Sequence, residues 1–172
     1  MTDGLLLLHA FPLDASMWEP QVSAFQAELP VIAPNFPGFG GTPLRGQVMH
    51  MDDAADAAAE AAEAAGIERV VACGSSMGGY VALAFWRRHR KRVLGLALAN
   101  TRAGADDEAA KDRRRALADR LKAEGKEFLV ENPPPLLSAH ASAELWERVR
   151  DIIRAQPAEA IAAASLGMAE RP

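Results

Sequence analysis

Apolar residues recur along this chain in two rhythms. Unbroken runs stand at Gly4-Leu5-Leu6-Leu7-Leu8, Val31-Ile32-Ala33, Val70-Val71-Ala72-Cys73 and Val93-Leu94-Gly95-Leu96-Ala97-Leu98-Ala99. A run without polar interruption suits a strand buried on both faces of a parallel sheet, because a half-wetted strand would alternate. Between the runs the apolar period is helical. Met17, Trp18, Val22 and Phe25 follow Asp14 or Ser16 as N-cap; residues 51–65 open on Asp52 and Asp53 and stop at Gly66; residues 80–89 follow the third run. Trp18 reads as core. The alternation predicts an α/β fold, a mostly parallel sheet of about four strands with flanking helices and active groups at the strand C-terminal ends. His9, Ser76 and Asn100 sit at such ends.

Beyond residue 105 the pattern becomes almost wholly helical, over 108–123 up to Gly125, then 128–135, 142–155 and 157–168. Leu136, Leu137, Trp146, Ile152 and Ile153 give this part an apolar face that needs burial. The division expected is an α/β core over 1–104 and a helical cap region over 105–172.

The chemistry concentrates where the third run turns through Gly74-Ser75-Ser76-Met77-Gly78-Gly79 into a helix, which is G-x-S-x-G between strand and helix. Such a turn throws its serine clear of the sheet and brings backbone so close that a side chain at Gly74 or Gly78 would clash. Ser76 is the candidate nucleophile, and the N–H of Met77, opening the helix, can stabilise a developing oxyanion. An ordinary serine in a small-residue turn is the competing reading.

Composition narrows the partners. With 172 residues, 49% hydrophobic and 24% charged, the chain suits one globular domain. A net charge of -4 offers no general attraction to nucleic acid or an anionic membrane. The basic clusters at 87–92 and 113–115 read as helix-end charge and a solvated helix face. The single cysteine, Cys73, reads as a small buried hydrophobe. The Gly- and Pro-rich loop over 34–43 lacks the Lys-Ser/Thr ending of a phosphate cradle, and the four histidines are scattered without H-E-x-x-H, so neither cofactor nor metal is expected. Met1-Thr2-Asp3 lacks the positive charge of a signal peptide and the leucine run is too short to span a bilayer; a cytoplasmic location is the expectation.

Taken in order, His9-Ala10-Phe11-Pro12, Pro37-Gly38-Phe39-Gly40-Gly41 and Gly74-Ser75-Ser76-Met77-Gly78-Gly79-Tyr80 make the chain resemble the α/β-hydrolase superfamily. Residues 5–18 and 99–107 are most similar to the bacterial branch of aryl esterases, 3-oxoadipate enol-lactonases and cofactor-free haloperoxidase-like enzymes. The resemblance implies Ser76 as nucleophile, backbone N–H groups of Phe11 and Met77 as oxyanion hole, and His9 as part of the oxyanion motif. Ala10 departs from the glycine usual there. Phe128, Leu136, Leu137 and Trp146 are the expected lining of an apolar acyl pocket, and a small ester or lactone the expected partner.

The family order of serine, acid and histidine leaves a gap, since nothing after Met168 supplies the last two. The expectation is therefore a truncated α/β-hydrolase fold. His140 with Asp106 or Asp107 is the internal substitute to weigh, while His50 and His89 read as structural or surface residues. Two functions stay open: a serine hydrolase of esters or lactones whose acid and base come from elsewhere, or an inactive hydrolase-like fragment or binding module. A perhydrolase or haloperoxidase-like side activity would use the same residues. In either case Val93–Ala99 becomes an exposed apolar edge, to be covered by self-association or by a complementary C-terminal segment.

Overall fold

The computed structural model describes residues 2–172. Four strands, β1 (Asp3–Leu8), β2 (Val31–Ile32), β3 (Arg69–Ser75) and β4 (Val93–Ala99), form one all-parallel sheet in the order β2-β1-β3-β4. Each forms from one of the four apolar runs. The register aligns Leu8 with Gly74 and Gly74 with Leu98, so residues 9–10, 75–76 and 99–100 leave the sheet side by side. This alignment positions the site.

Asp14 caps a 3-10 turn over Ala15–Trp18, its Oδ1 accepting from the Ser16 N–H at 2.9 Å, and α1 (Glu19–Phe25) follows with Pro20 in its first turn. Trp18 is buried, whereas Phe25, on the same apolar period, is largely exposed. Helix α2 (Met51–Ala64) begins on Asp52 and Asp53 and gives way at Gly66, which has φ +70°. Helix α3 (Met77–Arg88) starts three residues earlier than the apolar period suggests, because Gly78 and Gly79 carry no side chain to reveal it.

Arg87 to Arg92 is more than a solvated helix end. Arg87 and Arg88 pair with Asp52 and Asp56 on α2, His89 Nε2 lies 2.8 Å from Asp56, and Arg92 donates to the carbonyls of Ala59, Ile67 and Glu68. These contacts cross-link α2 and α3. They hold the Asp56 carboxyl below its usual range, chiefly through the Arg88 hydrogen bond.

Four further helices follow β4: α4 (Glu108–Glu124), α5 (Glu127–Glu131), α6 (Ala143–Ala155) and α7 (Ala158–Ala169). Asp107 and Ser142 cap α4 and α6 through side-chain bonds of 2.7 and 3.2 Å. Three prolines, Pro133 to Pro135, end α5 within two turns. Helix α7 is almost fully buried against α4 and the loop before α2. Its small residues permit the approach: a Cβ on Gly167 would overlap the Met49 carbonyl, and Ala163 O accepts from the Met49 N–H at 3.1 Å. One apolar cluster runs from Leu6 and Leu8 through Phe36 and Phe85 to Ile161 and Met168.

The sheet is not covered throughout. Pairing puts Val71 and Cys73 on one face with Gly95 and Ala97, and there Val71 is 38% exposed. Cys73, expected to be buried, is half-buried for the same reason; the cover it does have pushes its thiol pKa up. Leu98 points to the opposite face and Leu94 stands at the register shift beside Val70 and Val71; they remain 45% and 46% exposed, because β4 is the last strand of the sheet among the described residues. None of the helices among the described residues is long and apolar enough to cross a membrane.

Candidate active site

Between β3 and α3 the backbone of Ser76 takes φ +52° and ψ -113°, a conformation that a β-carbon makes unfavourable. Neighbouring bonds over-determine it. The Ser76 N–H donates to Ala99 O at 2.9 Å, and Ser76 O accepts from the Gly79 N–H at 3.0 Å and from Thr101 Oγ1 at 2.8 Å. The glycines are obligatory for the packing expected of them. A Cβ on Gly74 would overlap the Gly78 backbone, one on Gly78 would overlap the Leu8 carbonyl, and one on Gly79 would meet Thr101. Asn100, at the matching position after β4, also has positive φ, +47°.

After β1 the chain turns at His9-Ala10, and the Phe11-Pro12 peptide is cis. His9 is fully buried, with its ring centroid 4.0 Å from that of Phe36. Its Nε2 accepts from the Phe36 N–H at 3.2 Å, so the proton resides on Nδ1, which donates to Ala10 O at 3.2 Å. Burial pushes its pKa down to about 4. His9 is therefore a neutral strut that ties the turn after β1 to the loop after β2. Ala10 fits this turn without left-handed backbone; its N–H points to Met17 Sδ at 3.1 Å. Among the described residues, neither the Phe11 nor the Met77 N–H donates to another group of the chain, which leaves both available.

A cavity of about 480 Å³ opens over Ser76. Ser75, Ser76 and Asn100 supply its polar floor, with Ala10, Leu13 and Met17 beside them. Pro135, Leu136 and Leu137 form one wall. The roof is Leu145, Arg148, Val149 and Ile152, which lie on a single face of α6. Leu136 and Leu137 thus line the cavity as expected of them, but Phe128 and Trp146 do not. Phe128 lies under the Arg120 guanidinium at 3.8 Å, and Trp146 is set about 100° round α6 from Leu145, packing on the core instead.

Gln156 gave no sequence signal, yet it fastens the roof. Buried at the end of α6, its Nε2 donates to Asp14 Oδ2 and to Ile152 O, each at 2.8 Å, and its Oε1 accepts from the Gly40 N–H at 2.9 Å. Three distant segments meet in one amide. Arg148 makes a second tie, pairing with Glu19 on α1.

The internal acid and base considered for Ser76 lie elsewhere. Asp106 is buried among Arg102, Arg114 and Arg171, with contacts of 2.5 Å to Arg114 Nε and 2.9 Å to Arg171 Nη2. Burial opposes its ionisation, but the arginines outweigh burial and hold its carboxyl well below the usual carboxylate range. Arg171 in turn stacks on Tyr80 at 3.8 Å. Asp107 is committed to capping α4, and His140 is exposed in the connection before α6. His50 pairs with Glu170 at 3.3 Å and His89 with Asp56. None of the four histidines lines the cavity, and no group of three His, Cys, Asp or Glu among the described residues could hold a metal ion.

The geometry has counterparts. A thermophilic esterase from Thermogutta terrifontis, solved with malate bound, superposes with a TM-score of 0.92 at 41% identity over 100% of this chain and 65% of that chain. The enol-lactonase from Burkholderia xenovorans LB400 matches in fold, with a TM-score of 0.83 at 24% identity over 99% of this chain and 66% of its own. In sequence, the pimeloyl-[acyl-carrier protein] methyl ester esterase of Aromatoleum aromaticum is 37% identical over 97 residues, 56% of this chain and 36% of that protein. The chain thus spans about a third of the curated relative and just under two thirds of the esterase. The alpha/beta hydrolase fold model matches residues 4–138, and with the strand order, the Ser76 turn and these relatives it establishes that the chain belongs to the alpha/beta hydrolase fold family.

Proposed function

We propose that this chain carries the nucleophile half of a serine hydrolase acting on carboxylic esters or lactones. The observation that carries the reading is Ser76 itself, a strained serine at the start of α3 on the floor of a largely apolar cavity. Ser76 Oγ attacks the carbonyl carbon and gives up its proton to a base; the alcohol leaves with that proton, and water then cleaves the acyl-serine by the same path. The Phe11 and Met77 N–H groups, free of other acceptors, stabilise the oxyanion. Leu136, Leu137, Leu145 and Ile152 take the acyl or ring portion. We assign the acid and the base to residues outside these 172 or to a partner chain, since no histidine shares the cavity with Ser76. The apolar edge at β4 is the surface on which a complementary C-terminal segment or a second copy packs.

The same missing histidine favours a second reading, a hydrolase-like binding module. The test compares the chain with Ser76→Ala, each with imidazole added as the missing base, for labelling by a fluorophosphonate and for turnover of p-nitrophenyl acetate. Labelling confined to Ser76 supports the nucleophile; labelling equal to that of the variant, in folded protein, leaves the binding module.

A further inference from the structure

Arg148 stands in the middle of an apolar stripe. Leu145, Val149 and Ile152 on the same face of α6 roof the cavity over Ser76, and a residue between them in that register would ordinarily be aliphatic. Among the described residues Arg148 is the only charged one lining the cavity. Its side chain is 47% exposed, so it stands at the mouth, not on the floor. One guanidinium nitrogen, Nη2, is engaged with Glu19 Oε2 and, at 3.5 Å, Ser16 O; among the described residues Nε and Nη1 make no hydrogen bond. A guanidinium with an unused edge over an apolar cavity matches a ligand that is apolar along its length and anionic at its far end.

We infer that Arg148 is a specificity-determining residue that selects esters whose acyl chain ends in a carboxylate, that is, half-esters of dicarboxylic acids. The inference rests on the reading of this cavity as the ester site. The ester carbonyl lies at Ser76, the methylenes run along Leu136, Leu137 and Ile152, and the distal carboxylate meets Nε and Nη1 of Arg148. Glu19 holds the arginine in place and at the same time competes with the ligand for its charge.

Binding separates this from catalysis, because it needs no base. The probes are monomethyl succinate, glutarate and adipate, each against its neutral dimethyl ester, titrated calorimetrically into the intact chain and into Arg148→Gln and Glu19→Gln, with circular dichroism as the folding control. The half-ester should bind about two- to fivefold more tightly than the diester, as for a partly exposed ion pair, and the preference should shrink when salt rises from about 50 to about 500 mM. Arg148→Gln should abolish the preference, bringing half-ester affinity to the level of the diester; Glu19→Gln should increase it. Equal binding of both probes by the unaltered chain overturns the inference. So does a half-ester preference that persists undiminished in Arg148→Gln, which would place the selecting charge elsewhere. A chain that stays inert to fluorophosphonate even with imidazole supplied as base, yet still prefers half-esters, upholds Arg148 while overturning Ser76 as nucleophile.

Discussion

His9 accepts the Phe36 N–H on Nε2 while its ring lies against the Phe36 ring, so one buried imidazole joins the turn after β1 to the loop after β2 by both polar and aromatic contact. The joint holds only while the imidazole is neutral. Folded His9 has its pKa pushed from 6.5 to about 4, so between those values the unfolded chain takes up a proton that the folded chain refuses. The stability tied to this group is therefore intact above pH 6.5, falls as pH drops through the window, and is down by about 3 kcal/mol below it. Urea unfolding between pH 7 and pH 4 should show this slope, reduced in His9→Gln. An NMR titration of the His9 ring with a midpoint near the unperturbed value would contradict it.

Asp106 responds in a different range. Its buried carboxylate faces three arginines, so its ionised form persists to strongly acidic pH, and its contribution to stability is present above the ordinary carboxylate pKa and lost only as pH falls through the depressed one. Asp106→Asn should destabilise by about 3–5 kcal/mol, since it leaves the buried Arg171 without its counter-charge. The variant should lose stability at pH 7 and at pH 5 alike, which distinguishes it from the His9 change. A melting temperature within the error of the parent at both values would show that the arginines repair themselves with solvent.

The glycines of the Ser76 turn make the steric argument testable one atom at a time. Gly78→Ala drives a methyl group into the Leu8 carbonyl, which is rigid backbone. The expected cost is about 3 kcal/mol, a fall in Tm of about 6–12 °C for a chain of this size. Gly104→Ala, where an added Cβ meets nothing, is the control and should leave Tm unchanged. A Gly78→Ala protein as stable as the control would mean that the turn adapts.

Gln156 tests how the roof is held. Replacing it by leucine keeps the bulk but leaves Asp14 Oδ2 and the Gly40 N–H without their partner. With each unpaired group costing about 1–3 kcal/mol, the variant should lose about 2–6 kcal/mol. Amide hydrogen exchange should rise first over residues 36–42 and in α6, the segments the amide joins. Unchanged exchange there would assign the fastening to Arg148 and Glu19 alone.

How far the sequence discloses all this depends on the range of each interaction. The strands are legible because each is a continuous apolar run, and the Ser76 turn because its glycines stand at fixed offsets where a Cβ has no room. Helical period is less discriminating: Leu136 and Trp146 both read as apolar cap residues, yet only Leu136 faces the cavity, since the pattern does not say which of two apolar surroundings a side chain enters. Least legible are contacts such as Gln156 with Asp14, 142 residues apart, because a polar residue bonded across the fold leaves no mark on its neighbours. Asp106 illustrates the opposite error. As a carboxylate near the end of β4 it resembles a catalytic acid, and only the position of Arg171 shows it to be the centre of a structural cluster.

The exposed edge yields the last prediction. Among the described residues strand β4 has no neighbour on its outer side, and Leu94, Leu98 and, on β3, Val71 are more than a third exposed. An unpaired parallel strand of this kind offers backbone donors and acceptors as well as apolar surface, so the isolated chain should associate through it. Sedimentation velocity at about 10–100 μM, a range in which weak contacts of Kd near micromolar populate, should give a mass above that of one chain. Leu94→Glu together with Leu98→Lys should return it to the monomer with only a small loss of Tm, because both side chains are nearly half exposed. If the double variant associates as strongly as the parent, the contact lies elsewhere; if the parent is monomeric throughout, the edge in this chain is protected by its own twist and small residues.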